Sequence, residues 1–124
     1  MNAEHIQITT SGWTLHEAIA KVLALAGDPE TQPSDGNSRM LWFGFGGTAV
    51  GIGPNPWFPD EEHADLFMSF DTRFGQEDKA KGDAEQMYRL LAAGTDWGLE
   101  LTFHDSDEPA RTRPPRTAIG VAAG

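Results

Sequence analysis

A chain of 124 residues fits one domain and is too short for two ordinary ones. It contains no cysteine, so a disulfide framework, a thiolate nucleophile and a zinc–thiolate site are all excluded. The net charge of -10 is lopsided, since all 19 acidic residues lie at or before Glu108 while Arg111, Arg113 and Arg116 follow. So acidic a body repels phosphate backbones and anionic membranes and speeds encounter with a basic partner, which argues against direct nucleic-acid or membrane binding. No apolar run approaches the roughly 18 residues of a membrane span. Met1-Asn2-Ala3-Glu4-His5 lacks the basic start and apolar centre of a signal peptide, so the cytoplasm is the expected compartment.

His5-Ile6-Gln7-Ile8-Thr9-Thr10 alternates Ile6 and Ile8 against His5, Gln7 and Thr9, the period of a half-buried strand. After Ser11-Gly12, the stretch Thr14-Leu15-His16-Glu17 has the Thr-x-x-Glu form of a capping box, in which hydroxyl and carboxylate each satisfy an orphan backbone donor. A helix is expected to begin there. Leu15, Ile19, Val22, Leu23 and Ala26 form its apolar stripe, and Gly27 with Pro29 ends it. Asp28 to Arg39 mixes prolines, a glycine and small polar residues without a period, which predicts a surface loop within one domain.

Met40 to Gly53 reads as a hairpin: Leu41, Phe43 and Phe45 share one side, Gly46-Gly47 makes a two-residue turn, and Val50 and Ile52 return on a common face. Gly44, Gly46, Gly51 and Gly53 resemble a nucleotide-binding loop only superficially. Pro54-Asn55-Pro56 follows where a helix would have to open on the pyrophosphate, so close backbone packing is the expected reason for these glycines. Next comes a stiff aromatic stretch, Trp57-Phe58-Pro59, joined to the acidic cluster Asp60-Glu61-Glu62. An exposed Trp57 beside acids suits an interface with basic side chains, although Trp57 and Phe58 could instead fold back onto the core.

Leu66 to Phe74 alternates again, with Leu66, Met68, Phe70 and Phe74 opposite Ser69, Asp71 and Arg73. The period then changes, Ala80, Ala84, Met87, Tyr88 and Leu91 falling three or four apart, which predicts a helix stopped by a left-handed Gly94. Trp97, Leu99, Leu101 and Phe103 make a last alternating strand. Residues 1–109 are therefore expected to form a single domain. Residues 110–124 read as a flexible Arg/Pro-containing tail, in which Ile119 and Val121 could add a short edge strand.

The clusters His63 with Asp65 and His104 with Asp105 and Asp107 offer mixed nitrogen and oxygen ligands, but neither has metal-site spacing. None of the five serines sits in a Gly-x-Ser-x-Gly turn, and adjacent acids such as Glu61-Glu62 read first as solvated. No catalytic residue, metal or cofactor is expected.

Three stretches, Phe67-Met68-Ser69-Phe70-Asp71, the helical Met87-Tyr88-Arg89-Leu90-Leu91 and Leu99-Glu100-Leu101-Thr102-Phe103, resemble in hydrophobic pattern small bacterial immunity proteins that neutralise polymorphic or contact-delivered toxins. The resemblance covers about the C-terminal half and carries no functional residue across. It implies a non-catalytic protein that occludes a partner's active site, to which an acidic surface is suited if the toxin is basic.

The expected fold is α+β: an antiparallel-rich sheet of about five strands with two helices on one face, in a ferredoxin-like β-α-β-β-β-α-β order. The expected function is a binding protein that inhibits or sequesters a basic protein partner through Trp57, Phe58, Asp60, Glu61 and Glu62. The alternative is a small-molecule domain with an aromatic cavity lined by Trp42 and Trp97.

Overall fold

The computed structural model describes residues 3–10, 13–33, 40–54, 66–71, 77–103, 106 and 108–114. In chain order they form β1 (Ala3–Thr9), α1 (Leu15–Leu25), β2 (Gln32–Pro33), β3 (Leu41–Phe45), β4 (Thr48–Pro54), β5 (Leu66–Asp71), α2 (Glu77–Gly94), β6 (Gly98–Thr102) and β7 (Arg111–Arg113). The strands make one sheet in the order β2-β3-β4-β5-β1-β6-β7, with every neighbouring pair antiparallel. β1 therefore lies at the centre of its half, Ile6 opposite Met68 on one side and Leu101 on the other. Because β5 runs antiparallel to both β1 and β4, those two strands are parallel to each other across it.

Both helices pack on the same face, α2 over β1, β6, β5 and β4, and α1 over β4 and β5. Period dictates what they cover. Ile6, Ile8, Val50, Ile52, Leu66, Met68, Phe70 and Leu101 are the helix-side members of their strands and are at most 1 % exposed. The matching stripe of α2 is Ala80, Ala84, Met87, Tyr88 and Leu91, all buried. On α1 the buried centre falls at Ala18 and Val22, with Leu15, Ile19 and Leu23 flanking it half-buried.

The local signals at α1 act as the sequence indicates. The Thr14 amide donates to Glu17 Oε1 at 3.2 Å and the Glu17 amide donates to Thr14 Oγ1 at 3.1 Å, closing the capping box. At the other end Gly27 takes φ +93°, and the Asp28 amide returns to the Leu23 carbonyl at 2.8 Å. In the β3–β4 turn Gly46 and Gly47 sit at φ +62° and +91°, the pair of positive values that lets a two-residue turn follow the twist of its strands.

The structure revises four expectations. The sheet has seven strands rather than about five. The additions are the edges: Gln32–Pro33 is a two-residue strand with no room for a period, and Arg111–Arg113 offers arginines where an apolar alternation would be sought. Regular structure thus occupies part of the stretch read as a tail, while Ile119 and Val121 lie outside the described residues. Gly94 is no left-handed stop; it belongs to α2, and an added Cβ there would meet Leu25 Cδ2 at 2.6 Å, so it marks the close approach of the two helices. Finally, close packing accounts for Gly51, whose Cβ would strike Met40 and Trp42, whereas Gly44 has open space beside it.

Candidate interaction face

The residues of opposite parity to the core form the second side of the sheet, which neither helix covers. Polar alternation puts His5, Gln7 and Thr9 of β1 there, with Phe67, Ser69 and Asp71 of β5 and Glu100 and Thr102 of β6. Most are half-buried rather than fully solvated. At its middle the His5 ring lies 4.8 Å from the Phe67 ring, tilted by 37°. Burial pushes the His5 imidazole below its ordinary value, against a smaller upward pull from the Glu4 carboxylate, and so favours its neutral form. Further out, Trp42 spreads over Gly51, whose lack of a side chain makes room for it.

Charge is divided unequally between the two sides. The six described lysines and arginines all belong to the helix side: Lys21 on α1; Lys79, Lys81 and Arg89 on α2; Arg111 and Arg113 opposite Leu101 and Leu99. Several are matched there. Lys79 pairs with Asp83 at 3.7 Å, and Arg89 and Arg111 both reach Glu85 at 3.5 Å. Lys81 Nζ stands 5.4 Å over the Phe103 ring. The open side carries the carboxylates of Asp71 and Glu100, which form no ion pair with any described residue.

Arg113 is the arginine put to greatest structural use. Its guanidinium donates to the carbonyls of Ala92 at 2.5 Å, Thr95 at 2.8 Å and Trp97 at 2.7 Å, and so supplies donors to the carboxyl end of α2 and to the turn into β6. The Trp97 ring beneath is 2 % exposed and meets Trp13 edge-on at 5.2 Å. No sequence signal marked Arg113, because the bond joins residues 16 to 21 apart. Glu4 escaped notice too: it is fully buried on the helix side of β1, opposite Phe70, where alternation calls for an apolar side chain.

The two tryptophans proposed to share a cavity are placed apart. Trp42 borders a hollow of about 520 Å³ with Glu30, Gln32, Gly44 and Thr48 near the β2 edge. Trp97 borders a separate one of about 170 Å³ with Trp13, Lys21 and Asp96. Trp57, Phe58, Asp60, Glu61 and Glu62 lie outside the described residues, as do His63, Asp65, His104, Asp105 and Asp107. The segment holding the first five leaves the sheet at Pro54 and returns at Leu66, which are register partners. Among the described residues no group of three or more His, Asp or Glu could hold a metal ion, and no helix is long and apolar enough to cross a membrane. Comparison with family models, with curated proteins and with solved structures gives no match to the chain.

Proposed function

We propose that the protein is a non-catalytic, cytoplasmic binding protein that inhibits or sequesters a basic protein partner, in the manner of a bacterial toxin-immunity protein. The observation that carries this reading is the net charge of -10 on a chain whose two helices both pack on one side of the sheet. Such a field raises the encounter rate with a cationic surface. In this reading Trp57 and Phe58 anchor the contact and Asp60, Glu61 and Glu62 meet the partner's cations. The fold that presents them is ferredoxin-like at its centre, with β5 between β1 and β4 as the split unit and β2, β3 and β7 as additions.

The test is affinity capture with the tagged protein, identification of the captured species, and association rates for wild type and the Glu61→Lys/Glu62→Lys variant. A basic protein whose capture slows in salt and weakens in the variant is the expected result. A neutral or acidic partner, or rates indifferent to both changes, sinks the reading.

A second reading, a small-molecule domain, is favoured by one observation, the hollow beside Trp42. A thermal shift with a small ligand that is lost in Trp42→Ala, without any protein partner, selects it.

A further inference from the structure

We propose that the hollow between α1 and the end of α2 binds a free α-amino acid with a small apolar side chain, held by its two charges between Lys21 and Asp96. This goes beyond the reading of a basic protein partner and is separate from the hollow beside Trp42, so each can fail without the others.

The volume of the hollow, about 170 Å³, falls below the roughly 300–1,000 Å³ of sites that take drug-sized ligands, which suits a single amino acid and neither a nucleotide nor a peptide. Trp13 comes from just before α1 and Lys21 from α1 itself, while Thr95, Asp96 and Trp97 form the turn from α2 into β6. Gly94 also borders it, at the point where Leu25 of α1 packs against α2, so the hollow lies at the junction of the two helices. Part of the wall is aromatic: the Trp97 ring is 2 % exposed and meets Trp13 edge-on at 5.2 Å. Paired indoles present apolar area in a fixed orientation, to which a short branched aliphatic side chain is the natural complement.

Charge selects the rest of the ligand. Lys21 and Asp96 border the same hollow, yet they form no ion pair with each other and no hydrogen bond or ion pair with any other described residue. Other polar groups of the turn are already engaged, since Arg113 donates to the Thr95 and Trp97 carbonyls and the Thr95 hydroxyl donates to the Leu91 carbonyl. The Asp96 carboxylate is thus the acceptor offered to a ligand's ammonium, and the Lys21 ammonium is the donor offered to its carboxylate. A simple amine would gain Asp96 but be opposed by Lys21, and a simple acid would gain Lys21 but be opposed by Asp96. A zwitterion satisfies both, through charge-assisted hydrogen bonds roughly twice as strong as neutral ones.

The probe is L-valine, titrated into isotopically labelled protein while the amide and indole N–H signals are followed. Isovalerate, which lacks its ammonium, and isobutylamine, which lacks its carboxylate, are the matched controls. Valine should shift the Gly94 and Asp96 amides and the Trp13 indole N–H saturably, and each control should bind at least about tenfold more weakly. Lys21→Met and Asp96→Asn should each weaken valine by about tenfold, and Asp78→Asn, which removes a carboxylate from an exposed position on α2, by no more than about twofold. Dispersed spectra establish that the variants are folded, and the two control ligands test the same charges in the unaltered protein. A control that binds as tightly as valine, or equal losses in all three variants, overturns the two-charge site. Shifts centred on Trp42 and Gly44 overturn it in favour of the other hollow, and no shift at millimolar valine overturns it outright.

Discussion

His5 holds its imidazole against Phe67 in surroundings that disfavour the charged form. The unfolded chain therefore takes up a proton near the ordinary value of 6.5, while the folded chain does so only at lower pH. Between those values the unfolded state binds more protons, so the stability that neutral His5 contributes is complete above about pH 6.5 and is lost as pH falls toward the folded value. Urea midpoints should drop between about pH 7.5 and pH 5, and His5→Gln should show a smaller drop; equal slopes in the two proteins refute the assignment. Glu17 works in a separate, more acidic window. The Thr14 amide, then the Thr14 hydroxyl, hold its carboxyl below the usual 4.5, so that contribution is present above 4.5 and disappears as pH falls through the folded value. Removing the hydroxyl in Thr14→Ala should cost about 1 kcal/mol, read from the shift in urea midpoint at constant slope.

At the scale of elements, Arg113 makes a three-residue strand worth more than its length suggests. It supplies donors to carbonyls of three residues in and just after α2, and hydrogen bonds from a charged donor are worth more than neutral ones. Arg113→Ala should therefore destabilise the fold by on the order of 2 kcal/mol in denaturant melts, whereas Arg111→Ala, which loses only an exposed ion pair to Glu85, should cost less than about 1 kcal/mol. Removal of residues 110–124, which read in the sequence as a flexible tail, takes Arg113 away and should destabilise at least as much as Arg113→Ala. What was legible beforehand and what was not follow one division. Thr14 and Glu17, Gly46 and Gly47, and the alternations around Ile6, Met68 and Leu101 are signals that neighbouring residues generate by themselves. β2, β7, the Trp13–Trp97 contact and the burial of Glu4 are set by residues distant in the chain, and no period of 2 or 3.6 records them. The Gly94 reading failed for the same reason: α1 brings Leu25 against it, and proximity to another helix leaves the same glycine in a sequence that a left-handed stop does. Of the proposed contact residues, Trp57 to Glu62, the described structure fixes only the Pro54 and Leu66 anchors; the second face of the sheet was implicit in the parity of His5, Ser69 and Glu100, which alternation marks as polar without saying that neither described helix covers it.

For the molecule as a whole, the prediction concerns ionic strength. If the acidic field steers a basic partner, association should slow markedly as salt rises toward physiological levels, where the Debye length is about 8 Å, and dissociation should change far less. Stopped-flow mixing across a salt series measures both, and a salt-independent association rate removes steering from the account. The strand order bears on another matter, the birth of the chain. β1 leaves the ribosome before the other described elements but sits between β5 and β6, whose residues begin at Leu66 and Gly98. At about 5–20 residues per second, Ile6 and Ile8 wait on the order of several seconds for the first of these neighbours, and longer for the second. During that interval the nascent segment exposes both hydrogen-bonding edges of an apolar strand, the condition that invites a holding chaperone or a neighbouring chain. Nascent chains arrested before Gly98 should accordingly remain open to protease at β1, and chains extended past Arg113 should be the first to resist it.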